Sequence, residues 1–229
     1  MFLAWFACLV AHAQDTQFLP EIDGHLKLNS SVQMYLQAKD DREGGDPQQF
    51  TFGPSIRFYR KPLLKLKNVT IFDLDNEKSR PLVIESGYRI ITAPNDPPEN
   101  RALESVTFHF PLGARILLSD RNRADLDWKN SRFSWRYRNK ATFERAFSIR
   151  SFHFIPYVAA EPFYESDYSK WSAMDLYGGC LFPLGKHVEF DSYYQHENNT
   201  ARRPNRQDNY GGLALHFYFS LKTKSQSPS

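Results

Sequence analysis

Residues 132–143 read Arg-Phe-Ser-Trp-Arg-Tyr-Arg-Asn-Lys-Ala-Thr-Phe, a polar residue followed by a mostly aromatic or apolar one. A strand turns successive side chains to opposite faces. Phe133, Trp135, Tyr137 and Phe143 therefore share one side, and Arg132, Arg136, Arg138 and Lys140 the other. Two kinds of fold accept such a segment. In a soluble sheet the aromatic face is a dry core and the basic face meets water. In a membrane barrel the aromatic face meets lipid and the charges line the interior.

Length and composition narrow the choice. A chain of 229 residues suffices for one large all-β domain and does not require two. The mean hydropathy of -0.57 excludes a helical membrane bundle. No stretch after residue 13 approaches the roughly 20 apolar residues that a spanning helix needs. The 19 Phe and 12 Tyr suit strands better than helices. A net charge of +3 is too small to argue for nucleic acid, and none is expected as a partner.

Met1 to Ala13 is apolar and ends in Ala11-His12-Ala13, the small-x-small pattern of a secretory cleavage site. A signal peptide over residues 1–13 is expected, although the usual basic start of such a leader is missing. Trp5-Phe6-Ala7 before Cys8 is a poor lipidation match. Removing the leader takes Cys8 with it and leaves Cys180 alone, so no intramolecular disulfide is expected. A closed barrel can dispense with one, because each strand is hydrogen-bonded on both sides.

The first candidate strand, His25 to Ala38, alternates Leu26, Leu28, Val32, Met34 and Leu36 against Lys27, Asn29, Gln33, Tyr35 and Gln37. Nine further candidates follow: through Phe50–Phe58, Leu82–Ile90, Val106–Phe110, Ile116–Leu118, Arg132–Phe143, Phe152–Val158, Ala173–Phe182, Val188–Tyr194 and Leu213–Leu221. Several approach or exceed the roughly 10 residues that a tilted strand needs to cross a bilayer. Pro111-Leu112-Gly113-Ala114 and Pro183-Leu184-Gly185-Lys186 read as tight turns. Long polar loops are expected at Lys39–Pro47, Pro94–Pro98 and after the seventh and ninth strands. Short turns at one end and long loops at the other is the asymmetry of outer-membrane barrels.

The expected architecture is thus an all-β, transmembrane, antiparallel up-and-down barrel of about ten strands. Residues 14–24 would form an N-terminal periplasmic segment, 25–221 the barrel and 222–229 a polar tail. An even count would put both termini on the periplasmic side. The stretch from Lys61 to Arg80 is long where a short turn belongs, and a hidden hairpin there would make twelve strands. Gly212, Leu215, Phe217 and Phe219 have the spacing of a barrel-assembly signal, which implies the assembly machinery and outer-membrane lipid as partners.

Several blocks together resemble a known family: Phe52-Gly53-Pro54, Lys61 through Thr70, Pro98-Glu99-Asn100-Arg101, Leu117 through Arg123, Trp135 through Asn139, and Pro156-Tyr157. They are similar to the Gram-negative family called domain-of-unknown-function 2490. That resemblance spans most of the mature chain. It implies an outer-membrane β-barrel and supplies no catalytic residue.

The strongest constellation is basic. Arg115, Arg121 and Arg123 are expected on one face of one strand, with Arg132, Arg136, Arg138 and Lys140 on one face of the next. They would form a positive wall in the interior, with Glu85, Glu161, Asp175, Glu189 and Asp191 on polar faces elsewhere around the ring. Such a wall could line a narrow pore for a small anionic solute. It could equally belong to an ion-pair network that fills the barrel, which the small strand count favours. A lipid hydrolase would need a Ser-His pair near the rim, and His109, His153, His196 and His216 with Ser119, Ser151 and Ser192 are scattered, with no Gly-x-Ser-x-Gly elbow. A soluble periplasmic lipid-binding barrel is the other alternative. His187, Glu189, Asp191, His196 and Glu197 repeat no recognised metal pattern, and neither metal nor cofactor is expected. Asn198-Asn199-Thr200 formally matches a glycosylation acceptor that a bacterial envelope protein would not use.

Overall fold

The computed structural model describes residues 16–43, 45–59, 77–201 and 204–221. Twelve strands occur among them: β1 (Thr16–Lys27), β2 (Val32–Glu43), β3 (Asp46–Tyr59), β4 (Leu82–Ala93), β5 (Asp96–Gly113), β6 (Ile116–Lys129), β7 (Arg132–Arg145), β8 (Phe147–Ile149), β9 (Phe152–Glu165), β10 (Lys170–Pro183), β11 (Val188–Asn199) and β12 (Arg206–Ser220). All but the three-residue β8 pair with a neighbour on either side, and β1 closes onto β12. The fold is a closed all-β barrel of eleven strands plus the short β8.

Every neighbouring pair in the ring is antiparallel except β1 and β12. An odd ring of alternating strands must bring its first and last members together in parallel. Eleven strands plus the short β8 fall within the expected range of about ten to twelve. What reads as one strand from His25 to Ala38 is the hairpin β1–β2, turned at Leu28–Ser31. The Leu28 and Asn29 N–H groups donate to the Val32 carbonyl, at 3.0 and 3.2 Å, and Asn29 Oδ1 accepts from the Ser31 N–H at 2.8 Å. Lys27 pairs with Gln33, so alternation keeps the same parity through the turn and the break leaves no mark on the pattern.

Other expectations change with it. Thr16–Lys27 forms barrel wall, so the periplasmic segment assigned to residues 14–24 is largely strand and the barrel begins before His25. One rim, called the upper, holds the β2–β3, β4–β5, β6–β7, β9–β10 and β11–β12 connections; the lower rim holds the others. β1 starts at the upper rim and β12 ends at the lower one, so the barrel's first and last strands do not enter and leave at a common side.

The segregation of long loops is also overturned. Strand structure runs through Glu43 and resumes at Asp46; it ends at Ala93 and resumes at Asp96. The polar residues around these turns belong to strand ends where both faces meet water. β3 and β4 pair directly, so nothing is inserted in the wall between them. Residues 61–76 of the stretch expected to hide a hairpin lie outside the described residues, as do the leader and the tail 222–229.

The alternation sorts side chains by face. Inward-facing groups include buried Asp23, Gln33, Ser55, Arg89, Asp125, Glu161 and Asp175. Outward-facing groups include exposed Phe18, Met34, Phe52, Ile56, Phe58, Phe108, Phe143, Val158, Leu176 and Leu213. The interior is polar and the exterior apolar, the reverse of a dry-cored sheet.

Candidate functional site: the polar interior and its upper vestibule

Alternate residues of β6 and β7 carry most of the basic groups inward. Arg121, Arg123, Asp125 and Asp127 follow one another on β6 at every second position; Arg136, Arg138 and Lys140 do so on β7. Their register, Arg123 beside Arg138 and Asp125 beside Arg136, gathers the charges into one cluster. Asp125 is fully buried at its centre. It accepts from Arg123 Nε at 2.6 Å and from Arg136 Nη2 at 3.1 Å, and Arg138 Nε lies 3.5 Å away. Glu161 on β9 takes Arg121 Nη2 at 3.1 Å, with Arg138 Nε at 3.6 Å. Arg101 on β5 is held by Asp127 at 2.6 Å and Glu99 at 2.7 Å.

The positive wall is therefore a neutralised network. Sequence reading isolated the arginines and passed over Asp125 and Asp127, which have the same parity and sit two and four residues beyond Arg123. Two other expected members stand apart. Arg115 occupies the β5–β6 turn with φ 61°, and its Nη1 donates to Ser148 Oγ at 3.1 Å. Arg132 begins β7 beside the upper turn, largely exposed, and pairs with Asp167 at 3.3 Å. Both fail to reach the interior because they flank turns.

The acidic positions all face inward. Glu161 and Asp175 flank the Tyr177 hydroxyl at 3.0 and 2.9 Å, so that one proton serves two carboxylates. Gln195 Nε2 donates to Asp175 at 2.8 Å, Tyr157 to Asp191 at 3.0 Å and Tyr218 to Glu189 at 3.2 Å. Lys140 Nζ lies 3.6 Å over the Tyr177 ring. Glu85 binds Arg57 Nε at 2.9 Å. Arg57, Arg89 and Arg101 are interior arginines that sequence reading missed. Each is a lone cation in a strand of mixed polarity, so no run announces it.

The two halves of the interior differ. Toward the upper rim lies a cavity of about 330 Å³, lined on one side by Arg89, Arg101, Arg123, Arg136 and Arg138. Asp175, Tyr177, Gln195, Glu197 and Tyr210 line the other side. A bound molecule would experience guanidinium donors on one flank and carboxylate or phenol groups on the other. Toward the lower rim, several described side chains meet in the interior. Arg57 lies 4.1 Å over the Tyr35 ring, Tyr35 donates to Asp23 at 2.9 Å, and Tyr59 donates to Gln33. Residues 77–80 draw across this end: Glu77 takes Arg57 Nη1 at 2.8 Å, Lys78 pairs with Glu144 at 2.9 Å, and the Arg80 carbonyl meets His109 Nδ1 at 2.7 Å.

A second cluster in the lower half was not legible in the sequence. Asp23, His25 and His216 bring ligating atoms within 4.8 Å of one another. His216 Nδ1 lies 2.9 Å from Asp23 Oδ2, across the parallel β1–β12 seam. These are metal-ligand types, but the Arg57 guanidinium stands 3.4 Å from His25 Nδ1, a cation already in place beside the donors. The seam joins residues almost 200 positions apart, which no local pattern reports.

The exterior carries aromatic residues near both rims. Toward the upper one, Trp135 stacks on Tyr164 at 5.5 Å, Tyr164 meets Trp171 at 5.8 Å, and Trp128 meets Phe133 at 5.4 Å. Toward the lower rim, Phe152 meets Phe182 at 6.1 Å and Phe182 meets Phe190 at 6.2 Å. On β7 the eight-residue step from Trp135 to Phe143 corresponds to about 20 Å of height at the usual strand rise and tilt.

A family model described as "Protein of unknown function (DUF2490)" matches residues 18–208. The chain belongs to that family. Among curated proteins and among solved structures no match is found.

Proposed function

We propose that this member of the family is an integral outer-membrane β-barrel with an occluded interior, a receptacle open at its upper rim and not a passive pore. The observation that carries the membrane reading is the inverted pattern of the wall. Large apolar side chains such as Phe52, Ile56, Phe108 and Leu176 are exposed outward while Asp23, Arg89, Asp125 and Glu161 are buried inward. In water that exterior would be a continuous apolar surface far larger than soluble monomers tolerate. In a bilayer it is the expected band between aromatic girdles. The apolar leader sequence supports export, and closure through β1–β12 leaves no open edge in the hydrocarbon.

The reading of an occluded interior is supported by the lower half, where the contacts of Arg57, Tyr35, Tyr59 and residues 77–80 converge. The upper vestibule suits a small polar solute whose anionic end meets the Arg101–Arg136 side. Fractionation tests the reading. The protein should sediment with outer membranes after a carbonate wash and migrate faster on gels before heating than after it. Recovery wholly in the soluble periplasm would refute the proposal and favour a soluble lipid-binding barrel.

A further inference from the structure

One row of the interior carries like charges on four adjacent strands. Asp175 of β10 stands opposite Glu161 of β9 on one side and Glu197 of β11 on the other, and Glu197 stands opposite Asp208 of β12. Like charges directly opposed across strands destabilise a sheet. The two ends of the row are compensated: Arg121 Nη2 lies 3.1 Å from Glu161, and Arg206 Nε lies 2.6 Å from Asp208. The middle two are not. Among the described residues, Asp175 accepts from Tyr177 and Gln195, and Glu197 from Asn199 at 2.9 Å and Tyr210 at 3.3 Å, all neutral donors. Asp175 is 3 % exposed, and its Oδ1 has no hydrogen-bond partner. Both residues line the upper vestibule. The arginines across from them are engaged, Arg101 by Asp127, and Arg123 and Arg136 by Asp125. The unmet charge of the vestibule is therefore on its β10–β11 side, and it is negative.

We propose that the β10–β11 side of the vestibule seats a primary ammonium group, so that the solute it receives is a small amine held by Asp175 and Glu197. The proposal deepens the receptacle reading above and rests on it. A buried carboxylate without a countercharge is costly, and a cation that brings hydrogen-bond donors relieves that cost. An ammonium offers three donors and no acceptor, which suits two carboxylates with acceptor capacity to spare. The space admits more than a bare ion: about 330 Å³ is at the lower end of small-molecule pockets. Nor does the row converge as metal ligands do. Among the described residues, the one cluster of three ligating groups is Asp23, His25 and His216, in the lower half. An anionic group at the far end of the same solute would meet the arginine side, and the class is then a zwitterionic amine.

Calorimetric titration of the folded protein in detergent tests this with two probes, 4-aminobutyrate and butyrate, which differ only in the ammonium. 4-Aminobutyrate should bind about tenfold more tightly than butyrate, or better. Asp175→Asn keeps the shape of the side chain and an acceptor for Tyr177 and Gln195. It should weaken 4-aminobutyrate about tenfold and leave butyrate within about twofold. Glu197→Gln, at a less buried position, should do the same and serves if the Asp175 variant lacks heat-modifiable mobility. Asp191→Asn, an interior carboxylate held by Tyr157 and outside the vestibule lining, should change neither probe. Equal affinities for the two probes, or no binding of 4-aminobutyrate to folded protein, would overturn the ammonium seat. A loss from Asp191→Asn as large as that from Asp175→Asn would overturn it as well, since a diffuse field would then explain the binding. The receptacle reading fails separately. Unitary current steps from the unmodified protein would refute it, while a tenfold discrimination between the probes would still support the seat.

Discussion

Asp125 organises the interior because three guanidiniums depend on a carboxylate that has no contact with water. Arg123, Arg136 and Arg138 all lie within 3.5 Å of it. Removing one partner of a buried charge set leaves the others uncompensated, at a cost of about 3–5 kcal/mol. Asp125→Ala should therefore destabilise the barrel by that amount in urea titrations of the refolded protein. Arg132→Ala, on an exposed ion pair, should change stability by about 1 kcal/mol or less. Equal losses from the two would mean that the interior is hydrated enough to solvate the arginines. Gly212 is the second telling residue. A Cβ there would lie 2.0 Å from Tyr193 Cζ, because the ring of its cross-strand partner covers the glycine. Gly212→Ala should cost about 1–3 kcal/mol by overpacking. Most of that should return when Tyr193→Ala is added, a coupling that a double-mutant cycle measures. The assembly-signal spacing seen in the sequence thus includes a position whose side-chain absence has an interior, steric reason.

Strands were legible wherever alternation was strong, and their faces were read with the right parity throughout β7. Their ends were not. A strand that projects beyond the apolar band has polar residues on both faces, so Asp40–Glu43 and Asp96–Glu99 look like loops while still holding ladder pairs. The β1–β2 turn escaped for the opposite reason, since four intervening residues preserve parity. Site residues divide the same way. Arg121, Arg123, Arg136, Arg138 and Lys140 were placed by period alone. Arg115 and Arg132 were misplaced because strand termini, and hence turns, were uncertain by a residue or two. Depth along a strand also decides what a charge costs. Leu118 faces outward two residues from the lower turn, whereas Ala38 faces outward near mid-height on β2. Ala38→Arg should therefore cost about 2–4 kcal/mol and reduce the folded, heat-modifiable band sharply; Leu118→Arg should cost about 0–1 kcal/mol. Ser134→Arg points inward beside Glu165 and Asp167 and should fold normally. Equal folding of the Ala38 and Ser134 variants would speak against lipid around the wall.

For the whole molecule, strand number sets how much interior there is to fill. Barrels of about eight strands are filled by their own side chains, and those of 16–18 leave a channel. Eleven strands fall between, and here an upper vestibule of about 330 Å³ stands above a lower section that the proposed reading takes as closed. On that reading, conduction depends on the lower half alone. Arg57 over Tyr35, with Glu77 paired to Arg57, reaches into that section through side chains and not through wall strands. Shortening those groups should open it without removing a ladder hydrogen bond. In planar bilayers the unmodified protein should show no unitary current steps across a range of salts. The combined Tyr35→Ala, Arg57→Ala and Tyr59→Ala variant, first verified as folded by its heat-modifiable mobility, should show them. Steps from the unmodified protein would mean that a water-filled path already runs past Arg57. A folded triple variant that stays silent would move the barrier upward, to the Asp125–Glu161 network, where the same truncation strategy would break the ion pairs on which the fold depends.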